Sequence, residues 1–228
     1  MSGASFLTTF TPLVRTATGR QAWQSGSKPF IDGSCRREPD FESPFPSITA
    51  LCRLTKLVSR LEIGSRVAYL TAKGKYSGDH ERGWRLVAVL RVIHRFPNHR
   101  EAADWYLQNG CPLPSNCMVA DNAPKELKLT HNMIPAVVRK KVDPKSDPDL
   151  AIHCWDALYK RRSRECSLFF VTEAERRELE NPPQVLERDF LEVFGKIPGM
   201  QNPPRKTSEE LDHLVRLALK RSRSAASD

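Results

Sequence analysis

The densest grouping of chemically capable side chains in the sequence is Phe30-Ile-Asp-Gly-Ser-Cys-Arg-Arg-Glu-Pro-Asp-Phe-Glu42. Within it Asp32, Ser34, Arg36, Arg37, Glu38, Asp40 and Glu42 surround one glycine and one proline. Hydroxyl, guanidinium and carboxylate presented together can read a polar heterocycle through donors and acceptors at once. The planar forks of Arg36 and Arg37, beside Ser34 and Glu38, suit a base edge. Asp32, Glu38 and Asp40 equally suit metal-free acid–base catalysis. The same charges can also pair with one another as a structural clasp, so three readings stay open at this segment.

A second set is cationic. Lys73, Lys75 and Arg82 fall on a loop bounded by glycines, where a flexible point charge suits phosphate contact. Other basic clusters are Arg139/Lys140/Lys141/Lys145, Lys160/Arg161/Arg162/Arg164, Arg176/Arg177 and Lys220/Arg221/Arg223. Aromatic residues interleave with them, and Trp23, Phe30 and Trp84 are candidate walls for an extruded base. Across 228 residues, 36 Lys and Arg stand against 27 Asp and Glu, a net charge of +9. That balance points to an anionic partner, nucleic acid first and an acidic protein second.

Several classes fall away. G-x-S-x-G, the Walker loop, G-x-G-x-x-G and the H-x-E with P-C-x-x-C of zinc deaminases are all missing. Cys111-x5-Cys117 and His153-Cys154 lack zinc-site spacing, so neither a metal nor a cofactor is expected. The six cysteines contain no C-x-x-C and read as buried thiols of a cytoplasmic protein. The N-terminal stretch has no basic region followed by an apolar run, so a secretory signal is not expected. With a mean hydropathy of −0.49 and no long apolar run, no membrane association is expected either.

Residues 66–71 and 84–96 are rich in β-branched side chains and predict a hairpin joined by the basic loop. Ser167–Val171 and Leu7–Val14 add further strands. Asn98 or His99 caps a helix over 100–108 that Gly110 closes. Residues 148–160 predict another helix, and Gln184–Phe194 is amphipathic up to Gly195. Thr172-x-x-Glu175 and Thr207-x-x-Glu210 are capping boxes, predicting helices over about 172–180 and from 207 onward. Prolines cut the chain into short blocks, and strands precede most helices. The expected class is therefore α+β with an antiparallel sheet.

Glu38-Pro39-Asp40 resembles the E-P-D of EVE domains. Leu61-x-x-Gly64-Ser65-x-Val67 is similar to the L-x-x-G-D-x-V turn and strand of EVE, ASCH and other PUA-like domains, with Ser65 in place of the aspartate. Leu86-Val-Ala-Val-Leu-Arg-Val92 resembles the strand that follows. The arrangement is also similar to the nucleotide-modification-associated (Nmad) domain families. The resemblance implies a small barrel-like PUA-type sheet with flanking helices that grips nucleic acid, DNA ahead of RNA, and accepts one base. Glu38, Pro39 and Asp40 would then lie at the pocket-side loop and Gly64 at the barrel turn.

The expected layout is a PUA-like α+β domain over residues 5–175, a helical C-terminal extension over 176–221, and a disordered tail over 222–228. The favoured function is a nucleic-acid-binding module that recognises a base, modified or plain, in base modification or phage-related defence. Ser34, Arg36, Arg37, Glu38, Asp40, Lys73, Lys75 and Arg82 would contact the nucleic acid. The alternatives are an enzyme of nucleotide or base modification built on the Asp32–Asp40 loop, and a basic protein-interaction factor.

Overall fold

Alternation along the strands sets the architecture. In β1 (Ser5–Phe10), Phe6 and Phe10 join one apolar cluster while Leu7 joins another. Further along the chain, Val67 and Tyr69 take the first side and Ala68 and Leu70 the second. Successive side chains of a strand point to opposite faces, so a sheet that is apolar on both sides must be covered on both.

The computed structural model describes residues 3–51, 55–199 and 203–224. After β1 come a 3-10 turn at Leu13–Arg15, α1 (Ala17–Gln24), β2 (Ser47–Thr49), α2 (Thr55–Val58), β3 (Arg66–Thr71), β4 (Trp84–Phe96) and α3 (His99–Gln108). A 3-10 turn at Leu127–Leu129, α4 (Ala136–Arg139) and α5 (Pro148–Glu165) lead to β5 (Phe169–Arg177), β6 (Gln184–Val185), α6 (Glu187–Phe194), β7 (Arg205–Lys206) and α7 (Ser208–Ser224). The strands run in the order β2-β5-β4-β3-β1-β7, with β6 paired to the start of β4. The class is α+β. The sheet itself is mixed and open, because β1 lies parallel to β3 and the strand order does not return on itself. A parallel neighbour needs a long crossover, and here it comprises residues 11–65. That crossover carries the charged segment 30–42.

One sheet face is sealed by helices alone. Leu7, Ala68, Leu70, Leu86 and Val89 pack against Phe190 of α6 and Leu211, Leu214 and Ala218 of α7. The other face meets Phe30, Phe41, Ala50, Leu57, Val58 and Leu61 from the crossover. Beyond the crossover lies a further layer, in which Ile134, Val138, Ile152, Trp155 and Tyr159 of α4, α5 and their approach pack on Cys35 and Leu51. The charged segment is thus held between a sheet and a helical layer.

Two sequence expectations are overturned. Residues 172–177 are strand, with Thr172, Glu173 and Ala174 paired to Val92, Arg91 and Leu90. Glu173 and Glu175 are drawn out by cross-strand arginines, Glu173 pairing with Arg91 and Glu175 with Arg66 at 2.7 Å. The ladder with β4 continues through these residues, and it overrides a local capping box. Residues 184–185 are strand rather than helix, and α6 starts at Glu187. The Thr207 box does form, with Glu210 N donating to Thr207 Oγ1 at 3.1 Å and Thr207 N donating to Glu210 Oε2 at 2.8 Å. Residues 176–221 supply β6, β7, α6 and α7. The last helix reaches Ser224, and the remainder of the expected tail, 225–228, lies outside the described residues.

Candidate functional site

Asp32 shapes the start of the charged segment. Its Oδ1 accepts from Ser34 N at 2.9 Å and from Glu38 N at 3.0 Å, and the Ser34 hydroxyl reaches the same atom. A short acceptor bonding its own backbone two residues on is a turn-former. Gly33 is required beside it, because a Cβ there would lie 2.2 Å from the His131 ring. Arg37 adopts a φ of 43°, in the left-handed region that a long side chain seldom occupies. Its guanidinium holds the turn closed by donating to the carbonyls of Asp32 at 2.9 Å and Ser34 at 3.2 Å, and to that of Leu129. The Glu38–Pro39 peptide is cis.

The expected ligand-reading arginines face inward. Arg36 is 1% exposed; its Nε donates to Asp156 Oδ1 of α5 at 2.6 Å, and its Nη1 to the carbonyls of Asn122 at 2.7 Å and Ser115 at 3.2 Å. Glu38 is equally buried. Its Oε1 accepts from Thr49 N at 2.9 Å and its Oε2 from Asn116 Nδ2 at 2.9 Å and from the Thr49 hydroxyl. Burial pushes the Glu38 carboxyl up to about 8, against the opposing effect of these bonds. Burial likewise raises Asp32 to about 6, offset in part by Ser34 and Arg37. His99 and His131, lowered to about 4 by burial and then by Arg36 and Arg37 respectively, sit neutral beside the two guanidiniums.

Asp40 marks the point where the segment turns outward. Its Oδ2 accepts from Ser115 N at 2.6 Å and Ser115 Oγ at 2.8 Å, and its Oδ1 from Glu42 N at 2.9 Å and Ser43 N at 3.3 Å. These bonds clasp loop 40–43 to loop 112–125 around a cavity of about 250 Å³. Asp40, Glu42, Ser43, Ser115, Asn122 and Lys125 supply its polar lining, and Pro112, Leu113 and Pro114 an apolar wall. Ser43 is 6% exposed, and its hydroxyl lies beside that of Tyr106, which donates to the Phe45 carbonyl at 2.7 Å and can still accept.

A half-buried aromatic patch adjoins the cavity. Trp105 of α3 lies 5.2 Å from Phe45, 5.0 Å from His94 and 6.5 Å from Phe96, between ring centroids. Leu113 packs in this same cluster while lining the cavity.

The remaining predicted residues are distributed. Lys73 pairs with Glu187 at 2.7 Å and sits 4.9 Å from the Trp84 ring, while Lys75 and Arg82 are exposed. Trp84 packs on Phe190 at 4.8 Å, under α6. Trp23 is an exposed residue of α1. Phe30 meets Tyr76 at 5.5 Å, so the charged segment and the hairpin loop do touch there. The three aromatic residues therefore occupy separate environments. Ser43, Ser115, Asn122 and Lys125 carry no periodicity or motif. Only the run Pro112-Leu-Pro-Ser-Asn116, too rigid for a helix, hinted at a shaped loop. Among the described residues no group of three or more His, Cys, Asp or Glu side chains is arranged to hold a metal, and no helix is long and apolar enough to cross a membrane.

No family model, curated protein or solved structure matches the chain.

Proposed function

We propose that the protein is a nucleic-acid-binding module that takes a single base, plain or modified, into the cavity between loops 40–43 and 112–125. The cavity itself, with Glu42 and Lys125 on its wall beside the apolar Pro112–Pro114 side, is the observation that carries this reading. A polar heterocycle needs polar groups at its edge and an apolar surface against its face. The adjoining Trp105, Phe45 and His94 rings offer a stacking surface for neighbouring bases. Net charge of +9 supplies the long-range attraction. The PUA-like resemblance at Glu38–Asp40 agrees with a pocket beginning at that loop. Arg36, Arg37 and Glu38 then act behind the pocket, fixing Asp40 and the two loops.

A base-modifying enzyme has one observation on its side, the raised carboxyls of Asp32 and Glu38, which suit proton transfer near neutral pH. Both are buried away from the cavity lining, which favours binding over catalysis.

The test is fluorescence anisotropy with labelled single strands of about nine nucleotides. Affinity should fall linearly on logarithmic axes between roughly 50 and 200 mM salt. Ala123→Trp, at an exposed position on the same wall, should obstruct the cavity and weaken binding without lowering the melting temperature. Absence of binding at the lowest salt would overturn the proposal.

A further inference from the structure

The lining of the cavity divides into groups already committed to the protein and groups still open to a ligand. Asp40 is saturated by four bonds. Ser115 gives its hydroxyl to Asp40, and Asn122 spends its amide on the carbonyls of Cys117 at 2.7 Å and Pro114 at 2.8 Å. Two charged groups remain, the Glu42 carboxylate and the Lys125 ammonium, and the Asn122 Oδ1 keeps an acceptor. Glu42 is held only loosely, with Arg37 Nε 3.8 Å from its Oε2, beyond hydrogen-bond length. That Arg37 Nε is itself buried without a partner among the described residues. Burial raises the Glu42 carboxyl above its ordinary value, while Arg37 and then Lys125 favour its ionised form. The Lys125 backbone is pinned by a 2.8 Å bond from Lys125 N to the Cys35 carbonyl, which fixes where the ammonium starts from.

From this set we infer that the cavity reads a guanine-type edge, Glu42 accepting from two adjacent N–H groups and Lys125 donating to the neighbouring ring carbonyl. The inference rests on the base-binding reading above. A carboxylate offers two acceptor oxygens side by side. Guanine alone among the common bases places a ring N–H and an exocyclic amino group side by side, with a carbonyl next in line. Adenine and cytosine offer one amino donor followed by a ring lone pair, which would face the second carboxylate oxygen. Thymine and uracil flank a single N–H with two carbonyls, again opposing Glu42. Pro112, Leu113 and Pro114 give the flat face of the base an apolar wall.

The experiment compares oligothymidine strands of about nine nucleotides that carry one central guanine, inosine, adenine or cytosine. Guanine should bind tightest, and inosine, which lacks the exocyclic amino group, about tenfold weaker. Adenine and cytosine should match unsubstituted oligothymidine. Glu42→Gln should erase the gap between guanine and inosine while leaving the salt slope unchanged, with a modest fall in melting temperature because Arg37 loses a counter-charge. Equal, salt-dependent affinity for all strands would overturn the edge assignment and leave nucleic-acid binding standing. A preference for adenine or cytosine would also overturn it. Failure of every strand to bind would remove the base-binding reading and this inference together.

Discussion

The two faces of the sheet are sealed by different chemistry. Under α6 and α7 the seal is mostly hydrocarbon, from Leu7 and Leu70 to Phe190 and Leu214, with one buried carboxylate, Asp189 of α6, held by Arg221 of α7. On the opposite face, Phe30 and Phe41 belong to a crossover that also buries Asp32, Arg36, Arg37, Glu38 and Asp40. The helical face gains stability from area removed from water, a non-directional effect. On the crossover face most buried polar groups have fixed partners, and the partners span the chain: Asp156 for Arg36, Asn116 for Glu38, Ser115 for Asp40. Such a network favours one arrangement of loops, because its bonds are directional and a rearrangement would break several at once. A cavity has a reason to lie at the border of the second kind of seal and none within the first.

Replacing Arg36 by Ala should have the largest effect. It strands the Asp156 carboxylate, leaving it Lys160 at 3.0 Å, and should cost about 3–5 kcal/mol in urea titrations. Adding Asp156→Asn should return roughly one or two kcal/mol, since the orphan charge and not lost area is the fault. A double variant no more stable than Arg36→Ala would blur the contrast between the faces.

Proton linkage separates the faces by pH. Glu38 titrates near 4.5 in the unfolded chain but at about 8 when folded, so folding takes up a proton between those values. Its contribution is present below the unfolded value and is lost as pH rises toward 8. Asp32 behaves alike up to about 6, whereas His99 and His131, depressed from 6.5 to about 4, oppose it by losing stability as pH falls. Between pH 6.5 and 8 Glu38 stands clear of all three. The denaturation midpoint should decline across that window, and Glu38→Gln should flatten the decline. An unchanged slope in Glu38→Gln would place the linked proton elsewhere.

The smallest effect is expected at Lys73. Its pair with Glu187 is 39% and 51% exposed, so Lys73→Ala should cost under about 1 kcal/mol and change no pH slope. A larger loss would mean that its contact with the Trp84 ring matters more to the seal under α6 than burial suggests.

What could be read from the residues was what depends on near neighbours. The strands over 66–71 and 84–96 and the caps at Asn98 and Thr207 are local, and each formed where its pattern predicted. Thr172–Arg177 misled because the same residues satisfy a capping box and an alternating strand, and the choice was made by main-chain pairing with β4, far away in sequence. The parallel pairing of β1 with β3 was invisible, since nothing local distinguishes a long crossover from a chain of hairpins. At the candidate site, the segment 30–42 was legible as unusual, but not its direction. Arg36 turns inward because Asp156 waits 120 positions later, and no spacing announces such a partner. Glu42, at the end of the same run, escapes burial by facing the cavity.

β7 is two residues long, Arg205 and Lys206, and lies along the start of β1 against Phe6 and Ser5. It is the last strand on its side of the sheet. A bare flank of main-chain donors and acceptors at β1 would be a template on which a second chain could add its own strand. Arg205 is an exposed cation at that border and makes such an addition repulsive between copies. Lys206 turns onto the Phe194 ring, and α7, which follows directly, holds the strand in place through its packing on Leu7. The C-terminal segment thereby protects the molecule from its own kind. Chains shortened before Arg205 should lose solubility and form intermolecular sheet before they lose the hairpin of β3 and β4.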